Sequence, residues 1–378
     1  MNISIREVLH RRDLKSFIKL PASIHKDHPN WVPPIYMDDR VFFNSKKNEA
    51  FGYCDTILLL AFEGKKPVGR IMGIINKKYN EANNLKEGRF CFLETYNMPL
   101  VASKLIRHIE EWSRVKGMKQ LVGPLGFSDK DPQGLLVQGY HEPVVIATNC
   151  NFPFMVDFVE KEGFTKKLDL VVYKIRIPEK IPEFYQKIHD RVIKNNGHLK
   201  VIHFRTRREM KKYVRPVLNL VNETFRNIYA FVPLTEKEMA EFANRYLLIL
   251  DPEFIKVIEN EKSEVVAFIL GMADISEGIK ACKGRLIPFG ILKVFRAKRK
   301  TEQLNLLLGA IREDYRNAGL DAILAIKMLE EAHKAKLKVI DSHLELEHNV
   351  KVRSEMEKVG GKIYKRFRIY EKNLIQGG

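Results

Sequence analysis

The sequence predicts an α/β chain of two similar halves, each a mixed, mostly antiparallel sheet flanked by helices. Runs that alternate in polarity or stay apolar, such as 56–62, 68–75 and 265–272, read as strands. They are interspersed with stretches of helical spacing such as 99–115 and 210–226. The pattern also repeats in the letters: Glu160-Lys-Glu-Gly163 and Tyr173 recur as Glu357-Lys-Val-Gly360 and Tyr370, at a constant offset of 197. A chain of 378 residues is long for one ordinary core. Residues 1–180 and 195–374 are therefore expected as two domains, joined near Pro178 and Pro182.

The elements follow in order. Residues 3–8 predict a strand and 12–24 a helix. His28-Pro-Asn-Trp-Val-Pro-Pro34 is extended, because its prolines fix φ and lack an N–H. Residues 56–62 and 68–75 form a hairpin around Gly64-Lys-Lys-Pro67, and 89–94 is the next strand. Pro99 suits the first position of a helix to Val115, with Asn97 near its cap. Residues 120–123 form a strand. The Gly-, Pro- and Asp-rich stretch 124–149 carries Asp129, Asp131, His141 and Glu142 and reads as a functional loop or lid. A helix at 154–162, closed by Gly163, and a strand at 167–175 complete the half. The second half opens with a strand at 201–204 and a helix at 210–226. Thr235-Glu-Lys-Glu238 has capping-box spacing and starts a helix to about Leu248. A hairpin (254–258, 265–272), a strand at 304–310, a helix at 323–332 and a strand at 339–347 come next. A helix at 350–359, closed by Gly360-Gly361, and a strand at 363–370 end the pattern.

Composition bounds the function. An apolar content of 45% with mixed charge describes a globular chain. No run of eighteen apolar residues is present, and the N-terminus lacks the apolar core of a signal peptide, which predicts a cytoplasmic protein. Cys54, Cys91, Cys150 and Cys282 stand far apart with no Cys-x-x-Cys pair, so free thiols and no metal are expected. The net charge of +18 fits a polyanionic ligand, an anionic membrane or nucleic acid.

The stretch with most chemistry runs from Ile311 to Ala322. An apolar strand leads into it, Gly319 lies within it, and a helix starts at once. The first N–H groups of a helix have no internal partner and its dipole is positive there, which makes an anion site. Arg316 adds a charge-assisted contact. The stretch resembles the pyrophosphate loop of the acyl-CoA-dependent N-acyltransferase (GNAT) superfamily, Arg/Gln-x-x-Gly-x-Gly/Ala, here Arg316, Gly319 and Asp321. Asp321 departs from the pattern, since a carboxylate repels phosphate unless it points away. The resemblance implies acyl-CoA as co-substrate, held by Ala310, Ile311, Arg316, Asn317, Ala318, Gly319, Leu320, Asp321 and Asn349. The first half has Glu94-Thr-Tyr-Asn-Met-Pro-Leu100 at the matching place and is expected to bind no CoA.

The whole chain also resembles bacterial tandem-GNAT proteins of the ceramide-synthase-like kind. The shared features are Trp31-Val-Pro-Pro34, Val68-Gly-Arg-Ile71, Gly123-Pro-Leu-Gly-Phe-Ser128 and Gly134-Leu-Leu-Val-Gln-Gly139. The resemblance implies N-acylation of a long-chain, sphingoid-type amine. Acyl transfer to an amine needs a base for the nucleophile, an oxyanion donor and an acid for the thiolate. The resemblance places the oxyanion donor near Ala310–Ile311. Alternation along 339–347 puts His343, Glu345 and Glu347 on one face, with Glu345 or Glu347 as the base. The family's tyrosine acid, seven residues after an asparagine, falls on Met356 when counted from Asn349. Water, or another tyrosine such as Tyr315 or Tyr229, is then expected to protonate the thiolate.

Residues 280–300 hold eight Lys or Arg and no acid, interleaved with Ile287, Phe289, Leu292 and Phe295. This composition fits peripheral contact with an anionic membrane. The alternatives are a Fem-like aminoacyl-tRNA-dependent transferase and a non-catalytic CoA- or lipid-binding protein. The retained CoA loop makes a nucleic-acid partner the weaker reading.

Overall fold

The structure, a computed structural model, describes residues 2–375 apart from 182, 196–198 and 248. Pro182 and Leu248, expected at the domain join and at a helix end, lie outside the described residues. The first half comprises β1 (Ile3–Glu7), α1 (Arg11–Ile24), α2 (Tyr36–Phe42), α3 (Ala50–Tyr53), β2 (Cys54–Glu63), β3 (Lys66–Asn76), α4 (Lys77–Ala82), β4 (Glu87–Thr95), α5 (Pro99–Val115), β5 (Gln120–Gly123), β6 (Leu135–Gln138), α6 (Phe154–Lys161) and β7 (Thr165–Arg176). A connecting helix α7 (Glu183–Asn195) leads to β8 (Lys200–His203), α8 (Arg207–Thr224), α9 (Glu236–Tyr246), β9 (Ile255–Glu259) and β10 (Val265–Ala273). Then come α10 (Ser276–Cys282), α11 (Gly290–Lys298), β11 (Gln303–Ile311), α12 (Leu320–Lys334), β12 (Val339–Asp341), β13 (Glu345–Leu346), α13 (Val350–Lys358) and β14 (Lys362–Asn373). No helix among the described residues is long and apolar enough to cross a membrane.

Local chemistry explains several boundaries. Thr235 Oγ1 accepts the Glu238 N–H at 3.2 Å while Glu238 Oε2 accepts the Thr235 N–H at 2.8 Å, the capping box that the spacing predicts. Pro99 starts α5, but the capping position is Met98 with no side-chain cap, so Asn97 does not cap as expected. Helix α7 was not anticipated, because the prolines before it read as a plain linker. It packs on α12 through Ile188 and Val192.

Among the described residues the strands make one mixed sheet, ordered β1-β2-β3-β4-β5-β14-β7-β12-β11-β10-β9-β8. Among the described residues only β4–β5 and β11–β12 are parallel pairs. The last strand of each half sits in the other half: β14 pairs with β5, and β7 pairs with β12. In the centre β7 and β14 run antiparallel, with Leu170 opposite Phe367, its own counterpart at the repeat offset. The repeated letters report this exchange. Tyr173 donates to Glu357 Oε1 at 2.7 Å, and Tyr370 donates to Glu160 Oε1 at 2.9 Å. The cores cross as well, since Val171, Tyr173 and Ile175 pack with Leu304, Met328 and Ile340, while Tyr370 packs with Val101, Leu105 and Leu121. The boundary expected between 180 and 195 thus divides the chain but not the sheet.

Two further expectations change. The stretch 124–149 is not a structureless lid. It carries β6, which pairs with β14, and its start fills the gap beside β4, with the Leu125 N–H bonded to Phe90 O at 2.8 Å. The single strand expected over 339–347 is broken. His343 takes φ 60°, and its N–H is held by Asp341 Oδ1 at 2.7 Å, so the chain leaves β12 and resumes as β13 on β7. A positive φ ends the two-residue alternation, so His343, Glu345 and Glu347 do not share one strand face.

Because each half is completed by the other's strand, we expect one cooperative heat-unfolding transition by calorimetry, with matching calorimetric and van't Hoff enthalpies. Two separable transitions would show that the halves fold independently.

Candidate active site

The site begins where parallel strands part. β11 and β12 pair only from Gln303–Val339 to Asn305–Asp341. β11 then continues six residues to Ile311, about 20 Å of strand, while its neighbour turns away to β7. Leu306, Leu307, Leu308, Ala310 and Ile311 are half-buried along this opening. The matching opening in the first half, beyond Arg89–Val122, is filled. Arg89 is fully buried there, bonded to Gly126 O, Phe127 O and Glu87. Tyr229 donates to Glu87 Oε2 at 2.9 Å, so this candidate acid is spent in the wrong half.

At the far end of β11 a 3-10 turn (Glu313–Tyr315) leads into α12. Asn317 and Gly319 both take positive φ, 63° and 77°, which turns the backbone sharply into the helix start. The first-turn amides of α12 have no partner within the helix there. Arg316 is exposed and only loosely paired with Glu313, at 3.7 Å. Asp321 is exposed and lies in the fields of Tyr185 and Lys358, on the side toward α7 and α13. Leu320 is fully buried and Ala318 partly so, leaving only their backbones for a ligand. Gly319 has a second role, because a Cβ there would meet Val192 Cγ2 of α7 at 2.6 Å.

Polar groups gather where the strands part. Asn305 donates to Asp274 Oδ1 at 3.0 Å, and Ser276 Oγ donates to the same atom at 2.8 Å. Asp341 accepts a short hydrogen bond from Tyr364 OH, and the buried Lys365 donates to Pro143 O. Burial, then Asp341, raises the Tyr364 pKa far above its ordinary value, while burial pulls that of Lys365 down. None of these residues figured in the sequence reading, since lone buried polar groups leave no pattern in a single chain.

The expected catalytic residues separate. His343 Nε2 lies 3.1 Å from Ile146 O, and burial lowers its pKa, so the ring is neutral at pH 7 with Nδ1 as its free lone pair. Glu345 pairs across strands with Val171 and so faces the α12–α13 side, where Met356 packs in the same cluster. It has no ion-pair or hydrogen-bond partner among the described residues, and burial alone pushes its pKa up to about 8. Glu347 is committed elsewhere: Lys166 Nζ at 2.8 Å and the Asp169 N–H at 3.0 Å hold it, and against its burial they keep its pKa below the usual value. Tyr315 stands at the loop end, bonded by Asn260 at 3.4 Å under Arg312, about 20 Å of strand from the parting point. That distance removes it as an acid for a thioester there. Asn349 caps α13 through the Val352 N–H.

Against the cysteine spacing, folding brings Cys150 beside His25 and His28, with one ligand atom of each within 4.8 Å of the others. Their own contacts occupy most of this group. His25 Nε2 pairs with Glu94 Oε2 at 3.0 Å, His28 Nδ1 accepts the Asn30 N–H at 3.3 Å, and Cys150 Sγ lies 3.8 Å from His28 Nε2. Burial raises the thiol pKa to about 12, so it stays protonated.

The Glu345 environment makes a stability test. Its folded pKa lies above the ordinary carboxyl value of about 4.3, so the folded state loses stability relative to the unfolded as pH rises from there to about 8. Glu345→Gln removes that loss. Its Tm should match the parent below about pH 4 and exceed it near pH 8.5; equal curves would show an ionised, solvated carboxylate.

No family model matches the chain. Over its whole length the chain is 28% identical to a bacterial ceramide synthase of Caulobacter vibrioides, covering 99% of this chain and 98% of that one. It is 26% identical to protein YghO of Escherichia coli, covering 98% and 95%. Two similar solved structures are a tandem GNAT protein from the clavulanic acid biosynthesis pathway and a GCN5-related N-acetyltransferase from Sphaerobacter thermophilus. The first has TM-score 0.57 and 10% identity with full coverage of both chains; the second has 0.52 and 12%, covering 100% of this chain and 97% of the other. With its two parallel-strand openings and its order of elements, the chain has the tandem GNAT fold.

Proposed function

We propose that this protein is an acyl-CoA-dependent N-acyltransferase that works in its second half and acylates a long-chain amine. The observation that carries it is the open parting of β11 and β12, which runs from an anion-binding helix start to a cluster of proton-handling groups. The diphosphate of CoA takes the α12 amides and Arg316, and the pantetheine arm lies along the free edge of β11. Its thioester then reaches the Asn305–Leu308 region. The 28% identical relative named a ceramide synthase favours a sphingoid-type amine over a small polar one. A small apolar cleft between α8, α9 and the sheet, lined by Phe204, Met210, Val217, Leu250, Val257 and Leu270, would take the end of an alkyl chain on the side of β11 that faces α8.

The chemistry divides between two residues on either side of the chain break. His343 Nδ1 takes the proton from the attacking amine, its ring held by Ile146 O. The amine nitrogen bonds the thioester carbon, the C–S bond breaks, and the thiolate takes a proton from Glu345. A carboxyl with pKa about 8 is mostly protonated at pH 7 and therefore serves as an acid rather than a base. This gives Glu345 the role left open by Met356.

His343→Gln should lower the acyl-transfer rate by about 10²-fold or more with little change in CoA affinity. Glu345→Gln should lower the rate and abolish the decline that the parent shows above about pH 8. Parent-like rates and profiles in both variants would place the proton transfers elsewhere. Arg316→Glu should raise the CoA Kd about tenfold or more, because a hydrogen bond to a charged group contributes about 1.5–3 kcal/mol. Gly319 variants are unsuitable for this test, since any side chain there also strikes α7. CoA binding unaffected at Arg316, measured by calorimetry, would remove the loop from the site.

A further inference from the structure

Between β10 and β11 the chain makes a helical pair, α10 and α11, whose tip projects from the sheet. Ile287, Phe289 and Leu292 are 69%, 73% and 64% exposed, among the most exposed large apolar side chains of the protein. They cannot fold inward. The Ile291 N–H bonds Leu286 O at 2.8 Å and closes the loop between them, and Gly290 is pressed so tightly on Arg285 O that a Cβ would lie 1.9 Å away. The inner face of α11 is already used, with Gly290 and Val294 buried and Gly278 of α10 packed against Val294. Beside the tip in the chain stand Lys283, Arg285 and Lys293, and Arg296, Arg299 and Lys300 follow toward and past the end of α11, all exposed. No acidic residue lies between 280 and 300. Lys298 is different: it is buried against Asp251 and Ile249 O and belongs to the fold, not the surface.

We infer that the α10–α11 tip is a docking surface for an anionic lipid bilayer, with Ile287, Phe289 and Leu292 inserting between head groups and the basic side chains resting on them. A rigid apolar tip on a segment whose own charges are all basic matches a surface that is negative outside and apolar just beneath. A protein partner would need a matching pattern of its own. The tip is continuous with the catalytic end of the groove, because α10 starts at Ser276, which bonds Asp274 and Val144 O beside Asn305. Docking there sets the parting point of the strands close to the membrane, where a long-chain amine resides. The docking itself goes beyond the acyltransferase reading and does not need it.

The test is sedimentation of the full chain with vesicles of phosphatidylcholine, with and without phosphatidylglycerol, in the absence of acyl-CoA. Binding is expected only with phosphatidylglycerol and should weaken as salt rises. Lys283→Glu with Arg285→Glu and Lys293→Glu should weaken it on the order of 100-fold, as each basic residue near anionic lipid contributes about fivefold. Ile287→Ser with Phe289→Ser and Leu292→Ser should weaken it about tenfold or more through lost insertion. Both triple variants change exposed side chains, so parent-like Tm values certify that they fold. No binding to phosphatidylglycerol vesicles, or binding that neither variant weakens, overturns the inference. A concentration-dependent dimer that the serine variant abolishes would assign the tip to a second copy and also overturn it. Vesicle binding by a parent chain that shows no CoA binding in separate calorimetry would support the docking surface and count against the acyltransferase reading alone.

Discussion

The antiparallel pairing of β7 with β14 is the contact on which the molecule depends. Each strand is the last of its half by sequence and a central strand of the common sheet by position. Its backbone groups need partners on both sides, and only the opposite half supplies them. Tyr173 and Tyr370 carry the same logic into side chains, each reaching a glutamate of the other half. Removing either strand would leave a row of buried donors and acceptors unpaired and two apolar clusters open.

From this symmetric centre the halves diverge at one place, the parting of a parallel pair. The first half spends its gap on structure: Leu125 takes the strand edge, and Arg89, Glu87 and Tyr229 make a buried charged cluster that no ligand can enter without breaking several hydrogen bonds. Its helix α5 also begins with Pro99, which offers no N–H. The second half keeps the gap open and begins its helix after Gly319, with amides free for an anion. One fold thus supplies a half whose gap is filled and a half whose gap is open, joined by the exchanged strands.

The break at His343 has the same economy. A single residue of positive φ interrupts the strand at the opening, so the chain leaves β11 after β12 and resumes on β7 as β13. His343 is left near Ile146 and Glu345 near Val171, with opposite pKa displacements produced by the same cause, burial of the charged form. At pH 7 the imidazole and the carboxyl are thus both predominantly neutral.

The sequence by itself determined the class, the repeat, most of the elements and the turn from strand to helix at Gly319, because these reside in periodicity, turn residues and local backbone preference. Thr235 with Glu238, the glycine at 319 and the Tyr173–Tyr370 correspondence are all readable within a few residues or at a fixed offset. What only the tertiary structure decided depends on contacts over long separations. The offset of 197 shows that two tyrosines correspond, but not that each bonds the other half's glutamate. Alternation placed His343 with Glu345 and Glu347, and it failed because Asp341 captures the His343 amide and Lys166 captures Glu347. Asp341, Tyr364 and Lys365 gained their importance only through burial beside residues from another part of the chain, and burial is a property of the fold rather than of any local stretch of letters.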